Sequence, residues 1–286
     1  MMPPDSDAEK KQNAFANFLY SVRSDVYFIC PRIFRKGPMV RFVIHSGLFI
    51  ALTVLSQVGG LAWLVAVNFK NRLLVFFGTY ALLCVLSSLA APVFGRIPLA
   101  CGDDSPLVVR SWATCALNRH YVTPDLHAAL TDLATALAEA HPGTVTLVLD
   151  ANFPFWNGFP LLPHLSHDDG RKADIALFYR DGSTEYLAGQ TRSPIGYFAF
   201  QQGPTPCRNR MLDLRWDLDW LQPVWPDWDI DADRTRFALQ WLAQDGRIKK
   251  VFIEPHLTRR LGLSDPKLRF QGCNAARHDD HIHLQL

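Results

Sequence analysis

The stretch PHLSHDDGRKADIALFY (163–179) sets His164, His167 and Asp174 at the threshold of an apolar run. That run, ADIALFYR (173–180), reads as a buried strand closed by the turn Asp181-Gly182. His167 and Asp174 are seven residues apart, a spacing at which no single regular helix or strand sets two side chains together. A loop can fold His167 back over the start of the strand that carries Asp174, and Gly170 supplies the permissive backbone for such a return. The segment RHDDHIHLQL (277–286) repeats the theme with His278, His281 and His283. Residues 281–286 alternate as a strand, so His281 and His283 project to one face. Five of the ten histidines lie in these two segments, each where a strand begins.

Between the two clusters the pattern is α+β. TPDLHAALTDLATALAEAH (123–141) offers Thr123 as N-cap, Pro124 at the first helical position, and Leu126, Leu130, Leu133 and Leu137 at helical spacing, stopped by Pro142-Gly143. TVTLVLD (144–150) and KKVFIEP (249–255) read as strands, and DADRTRFALQWLAQD (231–245) as a helix with an acidic first turn. Residues 97–286 are therefore expected to form a small antiparallel sheet with flanking helices.

Upstream the composition changes. From Phe42 to Phe94 the only charged side chains are Lys70 and Arg72, which divide two apolar runs, 42–67 and 73–94. Each exceeds the roughly 20 residues a helix needs to cross a bilayer. Neither shows the polar face of an amphipathic core helix, and both are too long, and start too late, for a cleaved signal. The expectation is a transmembrane hairpin over 42–96 behind a polar, basic leader (1–41). The formal net charge of +2 gives no reason to expect nucleic acid as a partner.

Two histidine nitrogens and one carboxylate oxygen, from His167, Asp174 and His283, would make a three-ligand zinc site whose fourth position stays open, as in catalytic zinc. Each element alone is weak. A His-x-His pair on a strand is more often surface or core than a ligand pair, His164 reads as a loop residue bonded to backbone, and His278 as a solvated turn residue. Their joint placement at two strand starts tips the balance toward a metal.

SHDDGRKADI (166–175) resembles the first motif of the zinc peptidases that include D-alanyl-D-alanine dipeptidases and carboxypeptidases, the Hedgehog signalling domain and the penicillin-insensitive murein endopeptidases. That motif has a His and an Asp seven apart, Gly three after the His, and a small or branched residue before the Asp; His167, Gly170, Ala173 and Asp174 match it. The HDDHIH segment (278–283) and the additional His164 are similar to the murein endopeptidase branch in particular. The match covers about twenty residues, and the shorter His-to-Asp spacing of the lysostaphin-type relatives does not fit. The resemblance implies His167, Asp174 and His283 as zinc ligands, with His164, His278 and His281 around the metal. It implies a zinc-dependent metallopeptidase that cuts D-amino-acid-containing bonds of peptidoglycan or muropeptides, on a bacterial inner membrane with its domain in the periplasm. Zinc would activate water and polarise the scissile carbonyl, with His281 or Asp280 as the base and His164 and His278 steadying the oxyanion or ligand tautomers. One departure bears on the base: the carboxypeptidases carry Glu where this chain has the shorter Asp280.

A non-catalytic zinc module on a membrane anchor is the rival reading, for which the Hedgehog domain sets the example. Cys101, Cys115, Cys207 and Cys273 fit either disulfides of an oxidising compartment or free core thiols, and a Cys207–Cys273 bridge would brace the second cluster. Trp156, Trp216, Trp220, Trp225 and Trp228 read as core packing before a substrate groove, and Arg192 as a surface residue before a carboxylate anchor. Topology pulls the other way. Arg32, Arg35, Lys36 and Arg41 flank the first run, and the positive-inside rule with two full spans would put the domain in the cytoplasm.

Overall fold

The computed structural model describes residues 37–102, 105–183, 185–208 and 218–286. Most of the basic leader, through Lys36, and Trp216 lie outside these residues. The chain divides into two compact units, 1–51 and 52–286. In the first, residues 38–51 are helical, part of α1 (Pro38–Ser56), of which Ser56 is the one fully buried residue.

In the second unit, α2 (Gly59–Ala66) and α3 (Arg72–Ala90) pack together, with the Trp63 and Phe76 rings edge to face at 6.0 Å. The apolar run 42–67, expected as one span, is broken between α1 and α2. Gln57 adopts a left-handed φ of 62°. The Gly59 N–H donates to Ser56 Oγ at 3.0 Å, which caps the new helix. The Gln57 amide is buried and exchanges two 3.0 Å hydrogen bonds with the backbone of Phe155, donating through Nε2 and accepting at Oε1. One polar residue that hydropathy alone cannot weigh thus ends the helix. Two helices, Pro38–Ser56 and Arg72–Phe94, remain long and apolar enough to cross a membrane by length and composition.

The remaining elements are β1 (Ile97–Pro98), β2 (Leu107–Val109), α4 (Trp112–Ala116), β3 (Tyr121–Val122), α5 (Pro124–Ala140), β4 (Thr146–Asp150), β5 (Lys172–Ala176), β6 (Tyr179–Arg180), β7 (Asp229–Ile230), α6 (Ala232–Gln244), β8 (Lys250–Phe252), α7 (Pro255–Arg260), β9 (Leu268–Arg269) and β10 (His281–Gln285). The main sheet has six strands in the order β2-β4-β5-β10-β8-β9. It is mixed, not purely antiparallel: the pairings β4–β5, β5–β10 and β10–β8 are antiparallel, while β2–β4 and β8–β9 are parallel. The two outer strands have three residues or fewer, too short for a periodicity to announce them.

Ile175, Ile282 and Leu284 bury in one core with Leu126, Leu130, Leu133 and Leu137 of α5 and Leu239 and Leu242 of α6. Full burial of each such side chain is worth about 1.5–3 kcal/mol. Strand alternation then turns Asp174, His281 and His283 to the opposite face. Asp231 caps α6, its side chain accepting from the Arg234 N–H, whereas Thr123 stands at the N-cap of α5 without a side-chain cap. The expected strand 173–180 is two strands, because Tyr179 and Arg180 leave the main sheet to pair with Ile230 and Asp229. The expected strand 249–255 stops at Phe252, and Pro255 opens α7. Two disulfides close, Cys101–Cys115 and Cys207–Cys273, and Cys84 is free.

Candidate metal centre

Register places the first pair. His283 of β10 lies directly opposite Asp174 of β5, so two residues 109 apart in sequence meet across neighbouring strands, His283 Nδ1 at 2.7 Å from Asp174 Oδ1. His167 arrives by the fold-back that Gly170 permits. Gly170 has φ 79°, and a Cβ there would lie 2.9 Å from Arg96 Nε, so both conformation and space call for glycine. His167 Nε2 then stands 3.1 Å from His283 Nδ1 and 3.4 Å from Asp174 Oδ1.

These three atoms form a group that could hold a metal ion. Ligands about 2.0–2.1 Å from a tetrahedral zinc sit roughly 3.3 Å apart, and the observed separations bracket that value. The donor chemistry also fits. His167 Nδ1–H donates to the Ala151 carbonyl at 2.8 Å, which leaves Nε2 free for a ligand bond. The Gln285 amide Nε2–H donates to His283 Nε2 at 2.9 Å, which leaves the ring proton on Nδ1, facing Asp174, to be released when Nδ1 ligates. Three residues expected as ligands therefore come together.

The four residues expected around them are placed as follows. His281 shares the face of His283, with Nε2 3.8 Å from Asp174 Oδ1. Asp280 does not reach the donor atoms. Its Oδ1 accepts from His281 Nδ1 at 2.5 Å and its Oδ2 accepts from the Phe198 N–H at 2.6 Å. His164 is no mere backbone-bonded loop residue: Nδ1 donates to Asp150 Oδ2 at 2.8 Å and lies 3.3 Å from Asp174 Oδ2. His278 is buried rather than solvated, its ring 4.8 Å from that of His281 and 5.7 Å from that of His283.

Two residues of the site were not anticipated. Tyr197 donates its hydroxyl to Asp174 Oδ2 at 2.8 Å, and its ring lies tilted at 5.0 Å from that of His164 and edge-on at 5.1 Å from that of His281. Asp150, buried at the end of β4 opposite Asp174, receives both His164 and the Arg119 guanidinium. Neither Tyr197 nor Asp150 lies in a motif, and only the β4–β5 register and the loop after Gly196 bring them in. Among the tryptophans, Trp228 is half-buried and packs against the core as expected, Trp225 is half-buried, and Trp156 and Trp220 are exposed, where core packing does not describe them. Arg192 is half-buried, donating through Nε to the Pro226 carbonyl and through Nη1 to that of Phe200.

Charge in the site is organised around Asp174. Burial alone would raise its pKa, but His167, His281, His283 and His164 hold it well below the usual carboxylate range. Burial pulls His281 down, yet Asp174 and Asp280 lift it to about 9. Burial wins at His283, pushed down to about 4, and at His278, which is also lowered by its histidine neighbours. His167 is raised, because Asp174 outweighs burial.

Protons and metal thus compete for the same atoms. His167 holds its proton to higher pH than a free histidine, so metal affinity should rise with pH through that range and fall as pH drops. Titration of zinc affinity between about pH 5 and 8 checks this, and a flat profile would contradict it. Tyr197→Phe should weaken zinc binding about 10- to 100-fold, the usual effect of losing a partner behind a ligand, with the fold intact by circular dichroism. Unchanged affinity would remove Tyr197 from the site.

Comparison of the chain with protein-family models and with curated proteins gives no match.

Proposed function

We propose that the chain is a membrane-anchored zinc metallopeptidase acting on D-amino-acid-containing peptide bonds of peptidoglycan, with its domain on the periplasmic face of a bacterial inner membrane. One observation carries the reading. The three donors of the two motifs that resemble murein endopeptidases converge at ligand spacing, with a third histidine, His281, beside them. The two disulfides support an oxidising compartment, and the two apolar helices support the anchor.

His167, Asp174 and His283 would hold the zinc, which when bound supplies a Lewis acid for the scissile carbonyl and a lower pKa for water. His281 is the general base: it takes the proton at Nε2 and returns it to the leaving amine. Asp280 orients that ring through Nδ1, and the Phe198 N–H in turn fixes Asp280. With Asp174 engaged by a metal, His281 loses part of the charge that lifts its pKa, which brings it toward the range a base needs. His164, anchored by Asp150, and neutral His278 line the same face and are placed to steady the oxyanion.

A specific observation favours a second reading, a zinc module without catalysis: His167, Asp174 and His283 are only 1%, 1% and 3% exposed. Hydrolysis of purified muropeptides by the zinc-loaded chain separates the two. Topology has its own test. A reporter fused after Leu286 should behave as extracytoplasmic, and a cytoplasmic signal would remove peptidoglycan as substrate.

A further inference from the structure

A second cluster of metal-type donors lies apart from the first, where the chain passes from α3 into the sheet. Cys101, in the β1–β2 connection, and Cys115, in α4, are joined by a disulfide. Both sulfurs and a ring nitrogen of His120 lie within 4.8 Å of one another. His120 is buried, and its Nδ1 has no hydrogen-bond partner. Such a nitrogen, out of water and unpaired, is unfavourable to bury and is open to a ligand. Burial, opposed by a backbone hydrogen bond at Thr114, pushes the His120 pKa down to about 4, so the ring is neutral. Cys101 is exposed and Cys115 half-buried, so an attacking thiol can reach the bond.

We propose that this corner is a reduction-gated metal site: opening the Cys101–Cys115 disulfide frees two thiols that, with His120, hold a zinc-class divalent cation. A dithiol reductant supplies the two electrons, breaks the Sγ–Sγ bond and closes to its own disulfide. Each thiol gives its proton to solvent as it binds the cation. Two thiolates balance the charge of a divalent ion, and a Cys2His donor set selects zinc or cobalt(II) over magnesium or calcium. The cation replaces the covalent bridge between the β1–β2 connection and α4 with a coordinate one, so the corner stays tied in either redox state. The inference stands independently of the peptidase reading.

The test uses the full chain in detergent with Asp174→Ala and His283→Ala, which removes the first centre, and Cys207→Ser and Cys273→Ser, which removes the other disulfide. Cobalt(II) is the probe, because thiolate ligation gives a near-ultraviolet charge-transfer band. The oxidised protein should show no band. After a phosphine reductant, with opening of the bond verified by alkylation mass, one equivalent of cobalt should bind with the band and be displaced by zinc. Cys115→Ser should abolish the band, and His120→Gln should weaken binding at least about tenfold, in line with loss of a metal-site partner. No band after verified reduction, a bond that resists reduction in the folded chain, or binding indifferent to His120→Gln would each overturn the proposal. The same band read in the unsubstituted chain, whose first centre holds no thiolate, keeps misfolding of any variant from hiding the answer.

Discussion

Replacing Asp174 by alanine should empty the metal centre and end hydrolysis together. The carboxylate is at once a donor, the cross-strand partner of His283, and the acceptor for Tyr197. It also neutralises a crowded set of imidazoles, since His164 and His167 approach it at 3.3 and 3.4 Å. Without it the metal-free protein must bury those rings with no counter-charge, and breaking such a buried pair costs about 3–5 kcal/mol. Asp174→Ala should therefore show both zinc loss in metal analysis and a lowered urea midpoint. Asp174→Asn keeps the shape and removes the charge, so it separates the two effects: zinc loss should persist even where the fold is better preserved. Stoichiometric zinc in both variants would refute the ligand assignment.

The second large effect concerns the proton. In the structure His281 faces the donor atoms and Asp280 stands behind it, bonded to Nδ1. Loss of a general acid–base costs about 10²- to 10⁴-fold in rate, and a non-ligand can be removed without removing the metal. His281→Ala should keep its zinc and lose hydrolysis by that factor. Asp280→Asn should be milder and should shift the acid side of the kcat/KM profile to lower pH, because the carboxylate raises the pKa of His281. Turnover of a muropeptide, measured beside zinc content, decides. An inactive Asp280→Asn with an active His281→Ala would hand the role of base to Asp280.

The candidate site was legible because the residues that could hold a metal sit in short local patterns. His167, Gly170 and Asp174 form one, His281 and His283 another, and strand alternation gives the face that each presents. What remained hidden depends on register between distant segments. Asp150 enters only because β4 pairs with β5 opposite Asp174, and Tyr197 because its loop folds over the sheet. The fold divides in the same way. Helix α5 follows from leucine spacing and α6 from its acidic first turn, as does β10 from alternation. The short parallel strands β2 and β9 carry too few residues to show a period. Gln57 shows the reverse failure: an apolar run of spanning length hid a buried amide that pairs with Phe155 and ends the helix.

In the proposed function, His167, Asp174 and His283 hold a zinc ion that serves peptide hydrolysis. Its most direct test is the product mass spectrum of purified muropeptides incubated with the zinc-loaded full chain, beside its His283→Ala variant. Cleavage at a D-amino-acid bond by the parent, abolished together with zinc in His283→Ala, is the predicted result. Intact muropeptides in the presence of a fully zinc-loaded parent would contradict it.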